Sequence, residues 1–243
     1  MSAGREGVPA PVTLTPIARI WTDFDGKFGI PRQSGLVREL RGEIVFEPEY
    51  RNPDALRGIE GYSHLWLIWL FDANRPQRRW QPTVRPPRLG GNASVGVFAT
   101  RSPYRPNPIG LSCVRLEGVE RRADCGAVLL VSGADLLDGT PILDIKPYLP
   151  YADAHPDAAG GFTDGTPRRT LEVSIPEELL ARIPKEKRAA LRGVLAQDPR
   201  PAYQDDPARR YGMTFAGWDV RFTVAGGTLT VCEVVPAPKE ETR

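Results

Sequence analysis

Sulfur and imidazole are scarce in this sequence: 243 residues carry three cysteines, two methionines and two histidines. Cys113, Cys125 and Cys232 are odd in number and far apart, which argues against a disulfide framework, and no CxxC pair is present to hold zinc. With only His64 and His155 as imidazoles, no metal site is expected. No run of about 18 apolar residues occurs, so no membrane span is expected. Met1 to Pro11 lacks the apolar core of a signal peptide and reads as the loose tail of a cytoplasmic protein. GxGxxG after a strand, a Walker lysine loop, GxSxG and HExxH are all missing. A hydrolase with an activated nucleophile therefore has little support. Ser63 and His64 are adjacent, and on a strand neighbours point to opposite faces, so they are not read as a dyad.

Acidic residues are missing from one long interval. Between Asp72 and Glu117 there is none, while Arg75, Arg78, Arg79, Arg85, Arg88, Arg101, Arg105 and Arg115 fall inside it. All of these bases are Arg and none is Lys. Guanidinium groups bind phosphate bidentately and stack on bases, so the interval points to a polyanion surface despite a net charge of only +2. A solvated basic loop that aids solubility is the plainer alternative. Hydrophobic residues at 41% and charged residues at 26% suit a soluble globular protein with a real core.

What is present in the first half is short apolar runs between dense Pro/Gly punctuation. The expected strands are Leu14–Trp21, Gly42–Phe46, His64–Phe71, Val95–Ala99, Leu111–Val119, Ala127–Gly133 and Ile142–Lys146. No amphipathic helix alternates with them, which disfavours a parallel βαβ fold and favours a closed, antiparallel-rich β-barrel. The run His64–Phe71 (HLWLIWLF) is almost wholly apolar. It should be covered on both faces, or face the core on one side and a second subunit on the other, so a homodimer is expected.

Tyr148–Pro167 reads as a linker. Beyond it, Pro176–Ile183 starts with proline at a first helical position and carries Glu177 and Glu178 in its first turn. A second helix is expected at Lys185–Gln197, then a hairpin of Trp218–Val224 and Thr228–Val235 across Gly226-Gly227. The fold class is thus mainly β, a barrel over residues 12–152, with a small α+β C-terminal domain over 168–237.

Three loop blocks could carry chemistry: Lys27–Leu36, Leu89–Ser112 and Asp135–Tyr148. Prolines at 103, 106 and 108 leave Ser102–Gly110 little freedom to lose, so it can present Arg and Asn in one geometry. The same prolines could merely end strands at a barrel edge. Asp135, Asp138 and Asp144 could face a cation or a ribose, or serve as base. They could equally be turn formers, and Asp138-Gly139 is a familiar hairpin turn signal.

The blocks KFGIPRQSGL, GIEGYSHLWLIWLF, RPPRLGG, GVFATRSPYRPNPIGLS and DLLDGTPILDIKPYLPY resemble the TrmO (TsaA-like, YaeB) family of β-barrel tRNA methyltransferases. The resemblance covers Pro16 to Tyr151 densely. Asp198-Pro199-Arg200-Pro201-Ala202-Tyr203 and Tyr211-Gly212 are similar to the family's C-terminal domain. It implies transfer of a methyl group from S-adenosylmethionine to N6 of threonylcarbamoyladenosine, next to the anticodon of tRNA, by a homodimer. The donor-binding positions it implies are Pro31, Arg32, Gln33, Ser63, His64, Leu65, Arg101, Leu111, Asp135, Leu136, Leu137 and Asp138. The target nitrogen has a delocalised lone pair and must lose its proton, so Asp135, Asp144 or Tyr148 is expected to help take it. Lys146 and Arg105 are expected to hold the threonyl carboxylate or a phosphate. Arg85, Arg88, Tyr104, Arg105 and Asn107, with Arg200, Arg209 and Arg210 of the second domain, are expected to contact the RNA. Trp80 and Tyr104 can stack bases. A barrel that binds donor and RNA without methyl transfer is the competing expectation, and a methyltransferase with another substrate is a third.

Overall fold

The computed structural model describes residues 11–74, 80–86, 89, 93–165, 170–200 and 206–238. Arg75, Arg78, Arg79, Arg88 and Tyr203 lie outside these residues. The first half forms β1 (Ala18–Trp21), β2 (Arg41–Phe46), β3 (His64–Leu70), β4 (Thr83–Val84), β5 (Val95–Gly96), β6 (Ile109–Arg122), β7 (Gly126–Ser132) and β8 (Thr140–Pro147). Six of them close on themselves in the order β1-β2-β7-β6-β3-β8. Every pairing in the ring is antiparallel, and β8 returns to β1 through Ala18↔Ile142 and Ile20↔Thr140.

Period-two alternation explains which side chains fill the ring. Leu65, Leu67 and Trp69 of β3 point inward, as do Val114 and Leu116 of β6 and Leu129 and Val131 of β7, and all are buried in one core with Ile20, Ile44 and Ile142. The other face of β3 is half-covered rather than bare. Trp66 donates its indole N–H to Asp153 at 3.0 Å and packs its ring 5.8 Å from that of Tyr148. A register shift in the β3–β8 pairing falls between Ile68 and Trp69. Such bulges re-aim side chains next to sites.

Several boundaries differ from expectation. The first strand starts at Ala18, not Leu14, and Val95–Ala99 is a two-residue strand paired with β4, followed by a 3₁₀ turn at Val97–Ala99. Asp138-Gly139 is a turn, with Gly139 at φ +75°, but not a hairpin turn, because β8 pairs with β1 and β3 rather than with β7. The linker contains α1 (Pro150–Asp153) and a 3₁₀ turn at Gly161–Thr163.

The second half forms β9 (Glu172–Ser174), α2 (Glu177–Leu180), α3 (Lys185–Ala196), β10 (Tyr211–Phe215), β11 (Trp218–Ala225) and β12 (Thr228–Pro236). Its sheet runs β10-β11-β12-β9, the last pair parallel. β9 and β10 were not expected. Pro176 and Pro184 sit at the N-caps of α2 and α3, one residue earlier than the first helical turn. Helix α3 buries Ala190, Leu191, Val194 and Leu195 as one stripe.

This second core is not built from the C-terminal half alone. Phe24, Val37 and Leu40, from the connection between β1 and β2, are buried in it. Gly193 makes the approach possible, since a Cβ there would lie 2.6 Å from Val37. Lys187 pairs with Asp23 at 2.7 Å, and the Ala216 N–H donates to the Asp23 carbonyl at 2.8 Å.

Candidate functional site

One cleft of about 1910 Å³ opens at the end of the barrel where β3 finishes and β6 begins. The connection between β1 and β2 contributes Lys27, Pro31, Arg32, Gln33 and Ser34 to its wall. The Thr100–Asn107 loop and β6 contribute Arg101, Tyr104, Arg105, Asn107 and Leu111. Asp135 and Leu137 come from the β7–β8 connection, and Phe162 and Arg200 from beyond the barrel.

Two glycines bring the first and third of these stretches together. Gly35 and Gly133 both adopt φ +76°, and the Gly35 N–H donates to the Gly133 carbonyl at 2.8 Å. A Cβ on Gly133 would meet the Gly35 Cα at 3.2 Å, so backbone packs on backbone here. Ser34 then accepts the Cys113 N–H on its hydroxyl at 3.1 Å, tying the loop to β6. Arg101 reaches across to donate to Gln33 Oε1 at 2.6 Å, and the Gln33 amide donates to the Arg32 carbonyl. Lys27 donates to the Ala73 carbonyl and to Asn74 Oδ1, both at 2.6 Å, which fixes the end of β3 to the same loop.

Asp135 is the acidic centre of the cleft. It accepts the Ser112 hydroxyl on Oδ1 at 2.6 Å, and Ser112 in turn accepts the Trp69 indole N–H at 3.0 Å. Burial pushes the Asp135 carboxyl up to about 6, against the opposing pull of the Ser112 hydrogen bond, backbone N–H groups and the Arg101 charge. At pH 7 it is still roughly nine-tenths ionised, which suits a general base.

The charged residues that line the cleft among the described residues are Lys27, Arg32, Arg85, Arg101, Arg105 and Arg200 against Asp72 and Asp135. Six cations facing two carboxylates favour a polyanion. Arg105 also braces its own loop, donating to the Thr100 carbonyl at 2.9 Å and lying 6.0 Å over the Phe98 ring. Phe98 is 71% exposed, with Trp80 and Tyr104 each 47% exposed. Aromatic rings left this bare beside guanidinium groups form a stacking surface. Arg200 is held by Asp198 through Nε–Oδ1 at 2.8 Å and Nη2–Oδ2 at 2.9 Å, with Asp198 itself at φ +51°.

Other expected site residues lie elsewhere. Leu136 is a buried core residue, and Asp138 spends its carboxylate on the Thr22 N–H at 2.7 Å, with burial pushing its pKa up. Asp144 pairs with Lys146 at 2.8 Å on the barrel exterior, and the Tyr148 ring packs 6.1 Å from that of His64. None of these six lines the cleft, nor do Arg209, over the Tyr211 ring at 5.5 Å, or Arg210, which donates to Cys232 Sγ at 3.3 Å. His64 is five residues from Trp69 along β3, roughly 17 Å away.

Ser63 and His64 do not point apart. Ser63 Oγ and His64 Nδ1 are 2.9 Å from each other, because Ser63 precedes the first residue of β3 and escapes its alternation. The residues that sequence reasoning did not single out are Lys27, Ser34, Trp69, Phe98 and Ser112. For Ser112 a signal existed: it is the hydroxyl on the inward row of β6, between Gly110 and Val114.

The architecture is that of a closed barrel with a cation-lined cleft, a carboxylate at its centre and a second α+β unit contributing to one wall. Residues 19–154 match the family model of the tRNA-methyltransferase O N-terminal domain, and residues 168–237 that of the TrmO C-terminal domain. The chain belongs to the tRNA-methyltransferase O family. A tRNA (adenine(37)-N6)-methyltransferase of Escherichia coli K12 is 42% identical over 90% of this chain and 96% of its own length. A putative S-adenosylmethionine-dependent methyltransferase of Pseudomonas aeruginosa is 46% identical over 86% of this chain and 90% of its own length. The crystal structure of TrmO from P. aeruginosa superposes with a TM-score of 0.77 at 38% identity, covering 96% of this chain and all of that one (100%).

Proposed function

We propose that this protein methylates N6 of adenosine 37 in tRNA, using S-adenosylmethionine, and that its preferred target carries the threonylcarbamoyl group. The observation that carries the reading is Asp135, bonded by Ser112 and within the field of the Arg101 charge in a cation-lined cleft.

The cleft suits the donor chemically. Leu111, 47% exposed, and Leu137 offer apolar surface for a purine. Asp135 offers a carboxylate to a cationic centre, and Arg32 and Arg101 offer cations to a carboxylate. When bound, S-adenosylmethionine supplies an electrophilic methyl group. The protein's own part is to orient the nitrogen, exclude water and receive the N6 proton on the Asp135 carboxylate. Asp144, Lys146 and Tyr148, also expected to act in catalysis, lie outside this cleft and are assigned no step. Arg85, Arg101, Arg105 and Arg200 would hold phosphates, and Phe98 with Tyr104 would stack unpaired bases.

The proposed units, 12–152 and 168–237, share the work: the barrel holds the donor and the second unit adds Arg200. A homodimer belongs to the same reading. Ile109 and Leu111 stay exposed beside the cleft, and Ser63 and His64 lie too far from it to serve the donor in their own subunit. They would do so from a second copy, and the fully buried Leu65 would add only backbone. No described helix is long and apolar enough to cross a membrane, and tRNA as substrate suits the cytoplasm.

The decisive experiment is nucleoside mass spectrometry of tRNA from cells lacking the protein, repeated in vitro with purified protein and donor. Loss of N6-methylated threonylcarbamoyladenosine in the cells and gain of one methyl group in vitro is expected. Persistence of the methylated nucleoside would overturn the reading. Donor binding without methyl gain would leave a binding barrel.

A further inference from the structure

We propose that Ser112 is a positioning residue for the proton acceptor: through the chain Trp69–Ser112–Asp135 it aligns the Asp135 carboxylate and holds it in its ionised form. The proposal rests on the reading of Asp135 as the group that takes the N6 proton.

Ser112 is 1% exposed on the inward row of β6, where its neighbours Gly110 and Val114 are apolar. A hydroxyl in such a place costs stability unless both its capacities are used. Trp69 uses one. An indole N–H can only donate, so Ser112 Oγ must accept at that 3.0 Å contact. The single hydroxyl proton is then left for Asp135 Oδ1 at 2.6 Å, a length typical of a hydroxyl bonded to a charged carboxylate. Protonating Asp135 at that oxygen would set two donors against each other inside the barrel. A proton could go only to Oδ2, and the ionised carboxylate is the stronger acceptor for the Ser112 hydroxyl.

The indole itself is locked. A Cβ on Gly110 would lie 2.2 Å from Trp69 Cε2, so the ring lies flat against a bare backbone, and Phe71 packs its ring 4.2 Å from it on another side. An apolar pair thus aims a donor, the donor turns a hydroxyl, and the hydroxyl fixes a carboxylate. From the other elements packed around it, Asp135 meets the Ser34 backbone and the Arg101 charge. Lys27, Arg32, Asp72, Arg85, Arg105 and Arg200 line the same cleft, and none of them is part of the chain.

The test uses the full-length protein as Ser112→Ala, Ser112→Thr and Trp69→Phe. Two readouts are followed against pH: the ¹³C-carboxyl NMR titration of Asp135 without ligands, and kcat/KM for methyl transfer to tRNA. Ser112→Ala should move both the titration and the acid limb of the rate upward by about one pH unit. Trp69→Phe should move them less in the same direction, and Ser112→Thr, which keeps the hydroxyl, should restore them. An unmoved Asp135 titration in a folded Ser112→Ala protein overturns the proposal. A titration that moves while the acid limb stays supports the Ser112 assignment and removes Asp135 as the proton acceptor.

Discussion

Gly110 and Trp69 are in face-to-backbone contact: any Cβ at position 110 would fall 2.2–2.5 Å from three indole atoms. The glycine is there to make room. Gly110→Ala must push the indole from its seat, break its hydrogen bond to Ser112 and strain the ring's packing on Phe71. Overpacking of this kind costs about 1–3 kcal/mol. Urea denaturation should show that loss, and the near-UV circular dichroism of the tryptophan should change with it. An unchanged midpoint and spectrum would contradict the contact.

Asp135→Asn should separate function from stability. Turnover should fall by roughly 10²–10⁴, the usual contribution of a general base, with donor affinity reduced far less. Stability should move the other way. The folded pKa of about 6 lies above the ordinary 3.8, so the contribution of Asp135 is full below pH 3.8 and is lost as the pH rises through 6. Above that window the ionised carboxyl costs the fold on the order of 3 kcal/mol, which the amide avoids. The Tm of Asp135→Asn should therefore exceed that of the wild type at pH 7.5, with the gap closing by pH 4. A gap that is constant with pH would show that Asp135 does not titrate in this range.

Phe98 is 71% exposed, so truncating it should leave the Tm within experimental scatter. If it stacks an unpaired base, Phe98→Ala should weaken tRNA binding by about 1–3 kcal/mol, roughly 5- to 150-fold. Fluorescence anisotropy with an anticodon stem-loop measures this. Equal affinity in the two proteins would remove Phe98 from the RNA surface.

The six cations of the cleft predict a steep salt response of tRNA binding. Arg85→Ala should lower affinity for all tRNAs alike and reduce the slope of log K against log salt by about 0.7–1. A flat salt response in the wild type would exclude the arginines as a phosphate track.

Much of this was written in local chemistry. Proline and glycine punctuation marks the barrel strands, and HLWLIWLF shows a strand with little room for solvent on either side. The closing of the ring was not legible in detail, because pairings such as β6 with β3 join residues from 39 (Leu70 with Ile109) to 51 (His64 with Arg115) positions apart. Asp138-Gly139 reads as a hairpin for the same reason: a turn signal is local, whereas the choice of β1 and β3 as partners of β8 is made by the core. The strand Tyr211–Phe215 was missed because Gly212 and Thr214 interrupt its apolar run. Pro31, Arg32, Gln33, Arg101, Leu111 and Asp135 were legible as loop blocks and do meet in the cleft. Ser112 closes one of those blocks and Trp69 lies in the apolar run of β3, but their roles were not legible, since an inward serine or tryptophan on a strand looks like packing until its partners are known.

Phe24, Val37 and Leu40 sit in the second core, on either side of the Lys27–Ser34 stretch that walls the cleft. That loop is therefore anchored at both ends, and through Phe28 and Ile30 between them, in the unit that begins at residue 168, while Pro31, Arg32, Gln33 and Ser34 wall the cleft. The two halves cannot be cut apart at the linker like beads on a string. A chain ended before residue 168 would carry three bare apolar anchors and a slack site loop, so donor binding and solubility should be lost together, and supplying residues 168–238 as a separate peptide should restore both or neither.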